Sequence, residues 1–529
     1  MKKSRERFLD LVVYEIYPRS FRDSNGDGVG DLRGVIEKID HLSELGVNAV
    51  WLCPCYQSPN ADNGYDISDY RKIAREFGTL SDWEELVEKL HARGIKLFMD
   101  LVANHTSEEH PWFKEARKSK DNPYRNYYYW SKTPAPNWKS LVGGSAWELD
   151  KQTGEYYLHS FAKPQPDLSW TNPKVREEMR AVVEFWVQKG VDGFRCDMLD
   201  FIAKDFKKGN MYAGASLHRY LRELFAGVNA KNLFTVGECQ SDERSIKAVC
   251  GENRKELVCS FQFEHFSVGR KDKFTPKKFT LDEVKKILVK WQNFTQENDL
   301  LYTLFTDNHD QPFYLSRLGN DRELRYESAT MFATMFFLLR GIPFLYQGQE
   351  FGAANPCYER IDEFDDIETF KFWKEKKAKI PETRLMEKIN FGSRDNARRP
   401  MAWTDEAPYF GFSEKGSWIP VHSRAKEINL EKDKKSEKSV FAFYQKLLAL
   451  RKKYKAFRCG SFRALKKGKG CFVYERTYKK ETFTVVCNFE TPREIFIKNA
   501  GEKIFSNYSA ETGNGIYRPY EIAVYQKST

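Results

Sequence analysis

The segment GFRCDMLD, residues 193–200, decides the fold. Its first five residues form a short apolar run that carries Arg195 and Asp197 two positions apart, so in an extended strand both side chains leave the same face. Just upstream, residues 175–189 place apolar side chains at helical spacing, and the pair reads as a helix followed by a buried strand that ends in charged residues. The same pattern recurs outward in both directions. Strands are expected at 12–17, 49–52, 96–101, 193–197, 233–238, 259–263, 301–305 and 343–346, with helical stretches at 35–45, 83–93, 175–189, 217–225, 281–291 and 329–339 between them. Such alternation is the mark of parallel βα units, and eight of them predict an α/β fold, a closed (β/α)8 barrel.

Two regions break the repeat. After the third strand come roughly seventy residues rich in Tyr, Trp, Asn and Pro, too long for an ordinary connection. They predict an inserted domain over 105–171, between the barrel parts 1–104 and 172–455. Past a last helix at 440–454 the helical period gives way to short alternating segments at 471–477, 482–488, 494–497 and 521–525. These predict a small antiparallel β domain over 456–529.

Composition excludes several classes. The 86 basic and 75 acidic residues give a net charge of +11 spread along the chain, without the basic stripe and interleaved aromatics of a nucleic-acid surface. No run approaches the length of a membrane span and the N-terminus lacks a secretory apolar core, so the expectation is a cytoplasmic monomer. The ten cysteines are expected as reduced thiols.

In a parallel barrel the strands' C-terminal ends carry the chemistry. Here they carry acids: Asp100 with His105 beyond it, Asp197 beside Arg195, Glu238, and the run Asp307, Asn308, His309, Asp310, with Tyr65 and Asp66 after the second strand. Like charges gathered on one rim repel one another and need a chemical reason. Retaining glycoside hydrolysis supplies one, because it takes a carboxylate nucleophile and a carboxylic acid facing one sugar. A third carboxylate would counter the positive charge of the transition state.

The blocks DLVANH (100–105), QPDLSW (165–170), GFRCDMLD (193–200), VGEC (236–239), FTDNHDQ (305–311) and GIPFLYQGQE (341–350) resemble the α-amylase superfamily of glycoside hydrolases, in its order. The nearest likeness is to the oligo-1,6-glucosidase, dextran glucosidase and trehalose-6-phosphate hydrolase group, through YEIYPRSFRDSNGDGVGDLRG, SPNADNGYDISDY and SRDNARRPMAW. The resemblance implies Asp197 as nucleophile, Glu238 as acid/base and Asp310 as transition-state stabiliser. It also implies a glucose-binding set of Tyr65, Asp66, His105, Gln165, Arg195, His309 and Arg398, and Phe161 is a candidate for packing on a sugar face. The expected activity is exo-hydrolysis of short α-glucosides, foremost α-1,6-linked isomalto-oligosaccharides. Alternatives are trehalose 6-phosphate hydrolysis, α-1,4-glucosidase activity, and sucrose isomerisation or glucosyl transfer. A non-catalytic, transporter-associated relative would have a membrane anchor and commonly lacks the acids.

Three departures bear on specificity. Met198 stands after the nucleophile where Val, Ala or Thr is usual, and Arg399 replaces a usual Thr. Lys273, in a basic run after the sixth strand, is a candidate contact for the leaving group or a sugar phosphate. Finally, Asp23, Asn25, Asp27, Val29 and Asp31 follow the start of an EF-hand loop, with Gly34 where the closing Glu would stand. Structural Ca²⁺ is expected there, with Mg²⁺ as a substitute; no organic cofactor is expected.

Overall fold

The computed structural model describes residues 6–135, 137–228, 232–239, 242–251, 256–509 and 515–527. Eight parallel strands close into a barrel in chain order: β1 (Val13–Ile16), β2 (Ala49–Leu52), β3 (Lys96–Val102), β4 (Gly193–Asp197), β5 (Phe234–Gly237), β6 (Cys259–Ser260), β7 (Leu301–Leu304) and β8 (Ile342–Tyr346). Every expected strand is present. The strands are almost wholly buried, as parallel strands covered on both faces must be.

The chain divides into two compact units, Met1–Val50 with Gln262–Thr529, and Trp51–Phe261. In the second unit the register pairs Asp100 with Arg195, Val102 with Asp197 and Gly237 with Cys196, which brings the charged ends of β3, β4 and β5 level. Gly193 makes this register possible, because a Cβ there would lie 2.5 Å from the Phe234 carbonyl oxygen. This unit also holds the insert. Its three-stranded antiparallel sheet (Trp130–Ser131, Glu155–Leu158, Trp147–Asp150) packs a small core of Trp138, Ala146, Trp147 and Leu158.

In the first unit β1 pairs with β8 and β8 with β7. The single helix expected at 35–45 is two, Leu32–Glu37 and Ile39–Leu45, separated at Lys38, whose dihedrals leave the helical region. Toward the C-terminus five antiparallel strands form a sheet in the order Ser461–Leu465, Cys471–Tyr478, Glu481–Asn488, Ile522–Gln526, Glu502–Ser506. The three inner strands match the expected ones. The two not expected are the edges, half exposed and without an apolar run. The stretch expected as a strand at 494–497 is reduced to Arg493–Glu494. All ten cysteines are free, and among the described residues no helix is long and apolar enough to cross a membrane.

Candidate active site

In the second unit the charged residues meet on one guanidinium. Arg195 is 2% exposed; its Nη1 donates to Asp100 Oδ1 at 2.5 Å and to Asp197 Oδ1 at 2.8 Å, and its Nη2 donates to Glu238. The adjacent rings of Trp51 and Tyr65 lie 5.1 and 5.7 Å from the guanidinium carbon. Burial alone would weaken the charged form, yet the carboxylates of Asp100 and Glu238 raise the guanidinium well above its usual range. Asp100 is in turn fixed by the Trp51 indole N–H at 2.8 Å and the Tyr65 hydroxyl at 3.3 Å. One buried cation therefore serves three carboxylates, two of them on neighbouring strands and one just past β5. Pairing through both Nη groups offsets the cost of burying these charges, although the buried Arg195 Nε has no hydrogen-bond partner.

The backbone just after Asp197 is unusual. Met198, directly after Asp197, has φ 37° and ψ 46°, the left-handed region that non-glycine residues rarely occupy. Its carbonyl accepts Phe201 N–H at 3.0 Å, and the next residue's N–H returns to the Glu238 carbonyl at 2.8 Å. The turn thus ties the chain after Asp197 to Glu238, and Met198 is buried within it. Strain at such a position is sustained only where the surroundings over-determine it.

His105 is buried, and burial pushes its imidazole down to about 4, so the ring is neutral at ordinary pH. Its Nδ1 takes the Asn104 amide at 3.2 Å, and its Nε2 faces the Tyr65 carbonyl at 3.2 Å and the Gln165 amide at 3.2 Å. Phe161 lies over it, ring centroids 4.9 Å apart. Tyr65, His105, Gln165, Phe161 and Arg195 are thus linked in one neighbourhood. Asp66 has a different place: its oxygens accept the N–H groups of Ala61 and Asp62 and the Ser58 hydroxyl, so it closes a turn.

In the first unit the third carboxylate is held in the opposite way. Asp310 receives Arg398 Nη2 at 2.7 Å, Arg394 Nη1 at 3.3 Å and His309 Nε2 at 3.1 Å. Despite the opposing effect of burial, His309 and the two arginines hold its carboxyl well below the usual range. His309 is oriented by Glu15 on β1, at 2.6 Å from Nδ1, and stacks on Tyr17. Arg398 also donates to the His309 carbonyl at 2.8 Å.

Arg394, Glu15 and Tyr17 were not among the candidates from sequence, although signals existed. A lone Glu inside the apolar run VYEIYP, and three arginines in SRDNARR, mark buried charge. Lys273 is found paired with Glu368, a carboxylate it shares with Arg394 at 3.4 Å, so its ammonium is engaged within the protein. Arg399 is buried too: it sits over the Tyr358 and Phe364 rings and donates to the Glu363 carbonyl, so its replacement of Thr is a packing change.

The loop at 23–31 is a series of side-chain-closed turns. Asp23 accepts N–H from Gly26 at 2.7 Å and Gly28 at 2.8 Å, Asn25 from Asp27 at 2.8 Å, and Asp27 from Val29 at 2.9 Å. The side chains of Asn25 and Asp27 are exposed, while Asp23 is buried. Asp31 is more committed: it caps the helix Leu32–Glu37 through Gly34 N–H and also accepts Ser24 N–H.

Residues 15–460 match the family model for the α-amylase catalytic domain. The chain belongs to the α-amylase family of glycoside hydrolases. It is 44% identical to an oligo-1,6-glucosidase of Halalkalibacterium halodurans, over 99% of each chain. It is 41% identical to a glucan 1,6-alpha-glucosidase of Streptococcus dysgalactiae subsp. equisimilis, over 93% of each. Among solved structures, the trehalose-6-phosphate hydrolase of Bacillus licheniformis superposes with a TM-score of 0.93 at 38% identity, over 99% of this chain and 100% of that one. As a member of this glycoside hydrolase family the protein is an enzyme, and the expected fold and family stand.

Proposed function

We propose that this enzyme is a retaining α-glucosidase that releases glucose from the non-reducing end of short α-1,6-linked oligosaccharides. Asp197 attacks the anomeric carbon while Glu238 protonates the glycosidic oxygen, and the aglycone leaves. Glu238, now a carboxylate, takes a proton from water, whose oxygen attacks the glucosyl ester and frees Asp197. Asp310 stabilises the positive charge that grows on the sugar ring.

The observation that carries this reading is the single Arg195 guanidinium shared by Asp100, Asp197 and Glu238. Three carboxylates on one cation leave the group net negative. Glu238 is the most open of the three to water, 13% exposed against 8% for Asp197 and 0% for Asp100, so it is the carboxylate best placed to exchange a proton with solvent. That asymmetry suits an acid/base beside a nucleophile kept ionised. Tyr65, His105, Gln165, Phe161, His309 and Arg398 are proposed as the glucose-binding set. The α-1,6 preference is supported by the likeness to the two 1,6-glucosidases across nearly the whole chain. The pairing of Lys273 with Glu368 weighs against a phosphorylated leaving group bound there.

Initial rates on isomaltose, maltose, trehalose 6-phosphate and sucrose test the proposal, with Asp197→Ala as control. Isomaltose is expected to lead and the control to be inactive. Preference for trehalose 6-phosphate, or a disaccharide product from sucrose, would replace this reading with the corresponding alternative.

We also infer that the 23–31 loop takes a structural divalent cation, Ca²⁺ or Mg²⁺, held by Asp23, Asn25, Asp27 and the Val29 carbonyl, with Asp31 acting from the helix cap. Bound there, the ion would cross-link the loop. The melting temperature is expected to rise with added Ca²⁺ and fall with chelator in the parent, and to ignore both in Asp27→Ala. The free thiols fit a reducing compartment, and we place the enzyme in the cytoplasm as a monomer.

A further inference from the structure

Large apolar side chains left exposed on a folded protein are informative when they gather beside a site. Among the described residues six such side chains are exposed, of which Leu141, Phe206 and Tyr212 lie in the second unit, Leu141 and Tyr212 connecting to the surroundings of Phe161 and Phe206 packing on the insert. Tyr212, 42% exposed, stacks on Phe201 with centroids 5.3 Å apart and planes at 28°. Phe201 is buried and lies 5.8 Å from Phe161, which itself covers His105 at 4.9 Å. Leu141 joins this row from the insert: its N–H bonds the Ser160 carbonyl at 2.8 Å, and the neighbouring Ser140 hydroxyl bonds the Phe161 carbonyl at 2.7 Å. Phe206, 46% exposed, stacks on Trp138 at 4.8 Å and touches Tyr129 at 5.1 Å.

Both exposed rings share one construction. One face of each is fixed by a second aromatic ring, and much of the rest is open to water. They stand on the short segment between the nucleophile strand β4 and the helix Leu217–Leu224, which is closed at its base by the antiparallel bridge between Asp205 and Asn210. A rigid, open aromatic face costs little ordering entropy when a flat apolar sugar face docks on it. Hydrophobic collapse within the protein does not account for the two rings, because their outer surface is not covered.

We propose that Tyr212 and Phe206 form an outer platform for the aglycone end of the substrate, binding the glucose units beyond the one that is cleaved off. This rests on the α-glucosidase reading above. The row His105, Phe161, Phe201, Tyr212 advances by one ring at each step, from the glucose-binding neighbourhood to the surface. The occupant is an uncharged α-glucan chain end, since stacking of this kind reads the apolar faces of sugar rings and no ion pair is offered by the rings themselves.

The test measures kcat/KM for 4-nitrophenyl α-glucoside, isomaltose, isomaltotriose and isomaltotetraose with the parent, Tyr212→Ala, Phe206→Ala and Tyr212→Trp. The expected result is an unchanged value on the nitrophenyl glucoside and, for the longer chains, a loss of about three- to tenfold in the alanine variants, mostly in KM. Tyr212→Trp, which keeps a ring, is expected to restore the longer chains. Equal losses on every substrate would show a merely structural role, and no loss on any would show that the rings do not touch substrate; either overturns the proposal. Failure of the parent to hydrolyse any of the four would instead overturn the α-glucosidase reading.

Discussion

Arg195 and Asp310 are held by opposite sets of contacts. In the second unit three carboxylates surround one arginine; in the first, one carboxylate is surrounded by two arginines and a histidine. Excess carboxylate leaves room for a proton to come and go, which an acid/base requires. The two arginines and His309 around Asp310 hold it as an anion although His309 and Arg394 have further carboxylate partners in Glu15, Asp366 and Glu368; under the proposed function this suits a group that stays negative while positive charge develops on the sugar. Under the proposed function the same residue types serve two purposes, distinguished by their counter-ions.

The largest effect is expected where the carboxylates of the second unit lose Arg195. In Arg195→Met the buried carboxylates lose their partner, and breaking such a group costs about 3–5 kcal/mol. Chemical denaturation should show that loss, and kcat/KM should fall by at least about a hundredfold. A variant with parent stability would mean that the carboxylates do not depend on Arg195. A smaller effect is expected in the first unit, where Arg394→Met still leaves Arg398 and His309 on Asp310. We expect kcat to fall about tenfold, equivalent to about 1.4 kcal/mol in the transition state, with little change in KM and partial recovery in Arg394→Lys. If KM rises and kcat holds, Arg394 binds substrate and does not tune Asp310.

The barrel was legible in the sequence because a parallel strand buried on both faces is a short apolar run between helices, and all eight such runs became strands. The acids were legible because they close those runs. What could not be read was of two kinds. Edge strands such as Ser461–Leu465 carry no periodic apolar signal, since one side faces water. Counter-ions such as Glu15 for His309 and Glu368 for Lys273 come from distant positions, and only the fold brings them together. Lys273 shows the consequence: a basic run suggests a free cation, whereas its partner lies on the helix Ile367–Lys376.

The central claim, that Asp197 is the nucleophile of a double displacement, is tested most directly by trapping. A 5-fluoro glucosyl fluoride of α configuration slows the second step more than the first, so the glucosyl ester accumulates. Peptide mass mapping is predicted to find one added fluoroglucosyl group, on Asp197. The group on Glu238 or Asp310, or the absence of any ester together with release of β-glucose from isomaltose, would contradict the account.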